Sequence, residues 1–179
     1  MPNQPLVIAE QGSFFAGGGI IQQAGQYQTD KPMLPDGKTL HGDHAYVAYQ
    51  KPINPHRLPL VFLHGAGQSG KTWESTPDGR EGFGTLFLRR GYSVYLVDQP
   101  RRGRAGNATV ADTTGIAPND QFWFENFRMG IYPNLFENSQ FPGDSESLNQ
   151  FFRQITPNTG AYDLAVISSA MSAVFDRIG

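Results

Sequence analysis

At 179 residues the chain suggests one domain, long enough to bury a core. Apolar residues make up 39% and charged residues 17%, with a formal net charge of −2; this is a soluble, globular composition that offers no basic surface to nucleic acid or to an anionic membrane. There is no cysteine, which excludes disulfides, thiolate catalysis and cysteine metal sites.

Leu6–Phe15 mixes apolar and polar residues and reads as a strand. Gly17-Gly18-Gly19 reads as a bend, after which Ile20-Ile21 resumes. Residues 24–43, rich in Gly, Pro, Asp and Gln, are expected to form a loop, and His44–Pro52 alternates as a half-exposed strand does. The fold should therefore open on an antiparallel β unit. Its N-terminus has no basic start, and its first apolar run, Leu6–Ala9, is too short for a signal core, so no signal peptide is visible and no compartment is assigned. No stretch approaches the roughly 20 apolar residues of a membrane span.

Leu58–Gly65, "LPLVFLHG", is a continuous apolar run ending in glycine, as a strand buried on both faces requires. Glu81–Gly91 has Phe83, Leu86 and Phe87 at helical spacing, Arg89 and Arg90 in the last turn, and a glycine stop. Tyr92–Asp98 is a second buried strand, which completes a βαβ unit with two parallel strands. A polar stretch follows, Gln99–Asn119. Three helical segments come next: "QFWFENFRMG" capped by Asn119 or Asp120, "SESLNQFFRQI" capped by Asp144 or Ser145, and "AYDLAVISSAMSAVFDRIG" with an apolar face of Leu164, Ile167, Met171, Val174 and Ile178. Two parallel strands followed by three helices leave the sheet unfinished.

The segment Gly65–Thr72, "GAGQSGKT", fits the phosphate-loop pattern G-x-x-x-x-G-K-[ST] at every position. That pattern works by opening a helix whose N-terminus faces the phosphates. Pro77, with Asp78-Gly79 behind it, leaves room for one turn only, since a proline inside a helix costs about 3 kcal/mol. A phosphate site also leaves His64-Gly65 and Trp73 unexplained. An apolar strand ending in His-Gly is instead how many ester-cleaving enzymes build an oxyanion loop, in which each backbone N–H donor is worth about 3–4 kcal/mol of transition-state stabilisation. Gly65 and Gly67 remove side chains that would obstruct such an approach.

Gly70, Thr72, Trp73, Glu74, Thr76, Pro77, Asp78, Gly79 and Arg80, then Asp98, Gly103 and Arg104, form a run that resembles the bacterial and fungal α/β-hydrolase esterases carrying HGxxxxGxTWExTPDGR. "GSFFAGG" upstream and "FRMGIYP" and "QFP" downstream extend the resemblance over most of the chain. It implies the N-terminal part of an α/β-hydrolase fold: an antiparallel start, a βαβ of a mostly parallel sheet, then helices. Carboxylic-ester hydrolysis by a Ser–acid–His triad is implied with it. So is a backbone oxyanion hole at Ala66 and Gly67, supported by His64 and Gly65. The chain departs from the family in two places: it lacks the cysteines that some members carry in this loop, and the turn after Asp98 lacks its usual first glycine and its serine.

The nucleophile is missing. No G-x-S-x-G occurs, and the serines of "VISSAMSAV" sit on an apolar helix where small residues serve packing. The triad is therefore expected outside this chain, on a C-terminal part held as a second polypeptide after cleavage near Gly179 or absent through truncation. Residues 1–179 then form one domain portion, with about 106–155 as a cap or entrance segment. Trp73, Trp123 and Phe124 are candidate pocket walls, each equally at home in a core. Arg101, Arg102 and Arg104 either select an acidic substrate or brace a loop. His41, His44 and His56 show no metal spacing, and neither a metal nor a cofactor is expected. The expected partner besides the second polypeptide is a small-molecule ester, and the completed enzyme is free to form homo-oligomers. Acyl transfer on the same machinery and a non-catalytic, ligand-holding relic remain open beside hydrolysis, with nucleotide binding last.

Overall fold

The computed structural model describes residues 5–111 and 119–179. Residues 112–118, which belong to the expected polar stretch and cap segment, lie outside them. Strands β1 (Ile8–Gln22) and β2 (Thr39–Pro52) form a long antiparallel hairpin. Strand β3 (Leu60–Leu63) leads through helix α1 (Phe83–Leu88) to strand β4 (Val94–Asp98). The sheet order is β1-β2-β4-β3, with β2 and β4 antiparallel and β3 and β4 parallel. Helix α2 (Asp120–Asn126), a two-residue hairpin of β5 (Gly130–Ile131) and β6 (Asn134–Leu135), α3 (Ser145–Arg153) and α4 (Leu164–Ile178) follow. The architecture is α/β. Among the described residues no helix is long and apolar enough to cross a membrane.

The glycine triplet bends a strand from within. Gly17 and Gly18 take φ of 69° and 85°, yet β1 runs through them. The bend is matched on β2 by Asp43, at φ 60°. A side chain on Gly17 would meet the backbone of Ala170 at 2.7 Å, so this glycine lets α4 close on the sheet. β2 also starts earlier than expected, at Thr39. The Gly42-Asp43 pair that made residues 24–43 look like a loop is the matching half of the bend, and only 23–38 connect the strands.

Asp43 is the reason the bend holds. Its carboxylate is buried and accepts two hydrogen bonds from Arg101, at 2.8 and 2.9 Å, and others from the backbone and hydroxyl of Thr109. Arg101 is itself buried, at φ 65°, and also donates to the Ala161 carbonyl at 2.7 Å. One ion pair thus joins β2, the turn after β4 and the approach to α4.

Two apolar cores form. In the first, Ala170, Met171 and Val174 of α4 pack on Ala16, Ala45, Val47, Tyr95 and Val97 of the sheet. Each fully buried Val or Met side chain contributes about 1.5–3 kcal/mol. Ser168, Ser169 and Ser172 lie on the exposed side of α4, so the close helix–sheet approach rests on Ala170 and Gly17 and the serines take no part in it. The second core gathers Phe124, Met129 and Phe151 with Leu135, Phe141, Leu148, Phe152 and Ile155. Asn119, Asp144 and Asp163 cap α2, α3 and α4 through side-chain oxygens that accept backbone N–H groups.

Arg101 holds the Asp43 carboxyl down, from 3.8 to about 2. A depressed folded-state pKa gives stability that is complete above the unfolded value and is lost as pH falls through the folded one. Asp43→Asn keeps a residue that tolerates the positive φ but leaves Arg101 charged and unpaired. It is expected to cost about 3 kcal/mol by urea denaturation at neutral pH. The variant should also lack the part of the parent's stability loss that falls between about pH 4 and pH 2. Equal stability and equal acid dependence would rule the assignment out.

Candidate functional site

The loops after β3 and β4 meet at the carboxyl ends of the two parallel strands, the edge where open α/β sheets bind ligands. Residues 64–70 leave β3, and a short 3-10 turn, Gly70–Trp73, ends them. Asp98, the last residue of β4, reaches across to this loop. The residue is 1% exposed, and its carboxylate accepts the Gly70 N–H at 2.5 Å and the Arg104 N–H and Nε–H at 2.9 and 2.8 Å. Burial alone would raise its pKa; Arg104 and the two backbone donors outweigh that and hold it below the usual carboxylate range. Any Cβ at Gly70 would meet Asp98 Oδ1 at 2.9 Å, and one at Gly103 would meet Oδ2 at 2.6 Å. Both glycines are therefore dictated by the carboxylate.

His64 makes a second link. Its Nε2 accepts the Gln99 N–H at 3.1 Å, so Nδ1 carries the proton and donates to the Gly65 carbonyl at 2.9 Å. The Gln99 side chain returns a bond to the His64 carbonyl at 2.7 Å. Burial pushes the imidazole below its ordinary range, which favours this neutral form. With both nitrogens committed, His64 serves as a brace.

The far side of the loop is held by the chain just after α3. The Gly67 carbonyl accepts the Thr156 N–H at 2.9 Å, and Gln68, which is buried, accepts from the Gln154 side chain at 3.3 Å. Gly67 has φ 65°, and a Cβ there would lie 2.5 Å from the ring of Trp123. Between these supports, the N–H groups of Ala66 and Gly67 take no hydrogen-bond partner among the described residues. Ala66 is exposed.

The geometry gives the phosphate-loop pattern none of its usual elements. Gly70's N–H is spent on Asp98, Lys71 Nζ donates to the carbonyl and hydroxyl of Ser75 at 3.1 and 2.9 Å, and the turn at 70–73 is followed by α1 only from Phe83.

The three aromatic candidates separate. Trp123 packs on the loop, and its indole N–H, like that of Trp73, is buried without a partner among the described residues. Trp73 turns to the other side and packs at tilted angles against Phe62 and Phe83. It lines a groove of about 740 Å³ with Thr72, Thr76, Arg80, Phe83 and Leu86, and none of residues 64–68 borders that groove. Phe124 is 1% exposed inside the second core and presents no surface to a pocket. Sequence reasoning passed over Gln68, Gln99 and Thr156. Only the polar Gln99, directly after a buried strand's terminal aspartate, could have drawn attention. Among the described residues no three His, Asp or Glu side chains converge as metal ligands.

No protein-family model matches the chain. Over 147 residues, 75% of its length, it is 33% identical to a protein named probable secreted lipase phiG from a fungal species, strain ATCC 74256. The solved structure of a novel bacterial esterase superposes on 98% of the chain with a TM-score of 0.80 and 31% identity. The chain is thus similar to a lipase and to an esterase. The chain spans 39% of the length of the first and 58% of the second.

Gly67→Ala puts a methyl group where the Trp123 indole lies. In a Trp73→Phe background, where Trp123 is the remaining tryptophan, Gly67→Ala should shift the emission to the red and raise acrylamide quenching as the ring is pushed out. An unchanged spectrum would mean that Trp123 does not rest on the loop.

Proposed function

We propose that the chain is the oxyanion-loop portion of a carboxylic-ester hydrolase, with the serine nucleophile, its acid and its histidine supplied by residues outside these 179. The observation that carries this is the pair of unpartnered N–H groups at Ala66 and Gly67, on a loop fixed from three sides. Donors that need no reorganisation are what a developing oxyanion requires. The serine would pass its proton to the histidine as Oγ bonds to the ester carbonyl carbon, and the carbonyl oxygen would take up negative charge between these N–H groups and a donor elsewhere. The ester C–O bond would then break as the histidine gives that proton to the leaving alkoxide, and water, deprotonated by the same histidine, would release the acid from the acyl-serine. His64 does not fill that last role, because both of its nitrogens are committed.

The homologous lipase and esterase support ester cleavage as the reaction class. Leu60–Leu63 pairs on one side only among the described residues, and its partly exposed edge fits a further parallel strand. The proposed remainder docks there, continuous with this chain or held as a second polypeptide. Residues from about 106 to 155, which include the second core, are its proposed cap over the entrance.

The active protein is expected to hydrolyse a short aryl ester and to lose that activity when a serine-directed phosphonate is added. Peptide mass mapping should find the label on a serine outside residues 1–179. Hydrolysis that survives the phosphonate, or a label on Ser168, Ser169 or Ser172, would overturn the reading.

A further inference from the structure

Three arginines follow β4, and among the described residues two of them pair with carboxylates. Arg101 is spent on Asp43 and Arg104 on Asp98. Arg102 lies between them, 7% exposed, and its guanidinium has no carboxylate partner and no hydrogen-bond acceptor among the described residues. The ring of Tyr162 lies 6.0 Å from it, and that residue is two-thirds exposed.

An arginine in this state asks for an anion. Guanidinium does not give up its proton inside proteins, so burial cannot be relieved by neutralisation. An uncompensated buried charge is among the costliest features a fold can carry. The backbone fixes where this charge sits: Arg102 N–H donates to the Gln99 carbonyl, its own carbonyl accepts from Ala105, and it bridges to Asn158. Gln99 is also the residue whose backbone N–H holds His64. The Arg102 backbone therefore stands at the same carboxyl edge of the sheet as the loop that carries Ala66 and Gly67.

We propose that Arg102 binds a carboxylate of the ester substrate, so that the site prefers acidic esters such as half-esters of dicarboxylic acids. The inference rests on the hydrolase reading above and names its substrate class. A planar fork of donors matches a carboxylate bidentately, and Tyr162 offers a ring to cover the pair once formed.

The test compares 4-nitrophenyl hydrogen glutarate with the neutral 4-nitrophenyl pentanoate on the active protein. In the parent, kcat/KM should favour the acidic ester. In Arg102→Gln the ratio of acidic to neutral kcat/KM should fall by about tenfold or more, the usual worth of a charge-assisted pair. Arg102→Lys, which keeps the charge and loses the fork, should give an intermediate ratio and guards against a folding failure in the glutamine variant. A ratio that stays constant while both rates fall would assign Arg102 to a carboxylate of the protein and overturn the proposal, as would no change at all. If the parent cleaves neither ester, the hydrolase reading fails by itself. A thermal-shift titration with monomethyl glutarate then still decides the anion site: stabilisation of the parent and none of Arg102→Gln supports it, and no stabilisation of either rejects it.

Discussion

The carboxylate of Asp98 is the constraint on which this arrangement depends. A strand-terminal aspartate that is 1% exposed must be satisfied, because an unpaired buried carboxylate is not tolerated. Its three N–H donors come from two different loops. Satisfying one charge therefore fixes the loop after β3 against the turn after β4, and the requirement spreads. Gly70 and Gly103 have to be glycines because a Cβ at either would collide with the carboxylate oxygens. Arg104, whose side chain partly faces solvent, lies across the ring of Tyr46 at 4.2 Å and so carries the tie into β2.

The Asp43–Arg101 pair does the same deeper in the fold. It fixes the bend that brings α4 onto the sheet, and it holds the start of the Arg101–Arg104 turn that Asp98 holds at its end. Between the two carboxylates the chain has little freedom, and this is where Arg102 is carried into the interior with no carboxylate partner among the described residues. The loop itself is finished by the Gln154–Thr156 segment and Trp123. Residues adjoining the second core thus form a wall for residues 64–68.

Much of this was legible in the sequence, for identifiable reasons. Apolar runs located β3 and β4, 3.6-residue spacing located α4, and short polar residues ahead of α2 and α3 located their caps. Local signals failed where the deciding contact is distant in sequence. The bend at Gly17–Gly18 resembled a strand end because its partner, Asp43, and the arginine that steadies it lie tens of residues away. Gly65–Thr72 matched a phosphate loop letter by letter, but the fate of Gly70's N–H is set by a residue 28 positions on. Trp73 and Phe124 could not be told from pocket walls by residue type alone, and their surroundings place one in a groove off the loop and the other in a core. The difference among Arg101, Arg102 and Arg104 is invisible in a run of three similar letters.

The most direct measurement of the central claim is kcat for a neutral aryl ester in Asp98→Asn, with urea denaturation to show that the variant still folds. An amide has one acceptor oxygen and turns an NH₂ group toward either Gly70 or Arg104, so the loop should come loose while the cores remain. On the proposed oxyanion role of Ala66 and Gly67, loosening their loop should cost about 10²–10³ in kcat, and a fall of that order in a folded variant is the expected result. A folded Asp98→Asn protein with the parent's kcat would contradict the account.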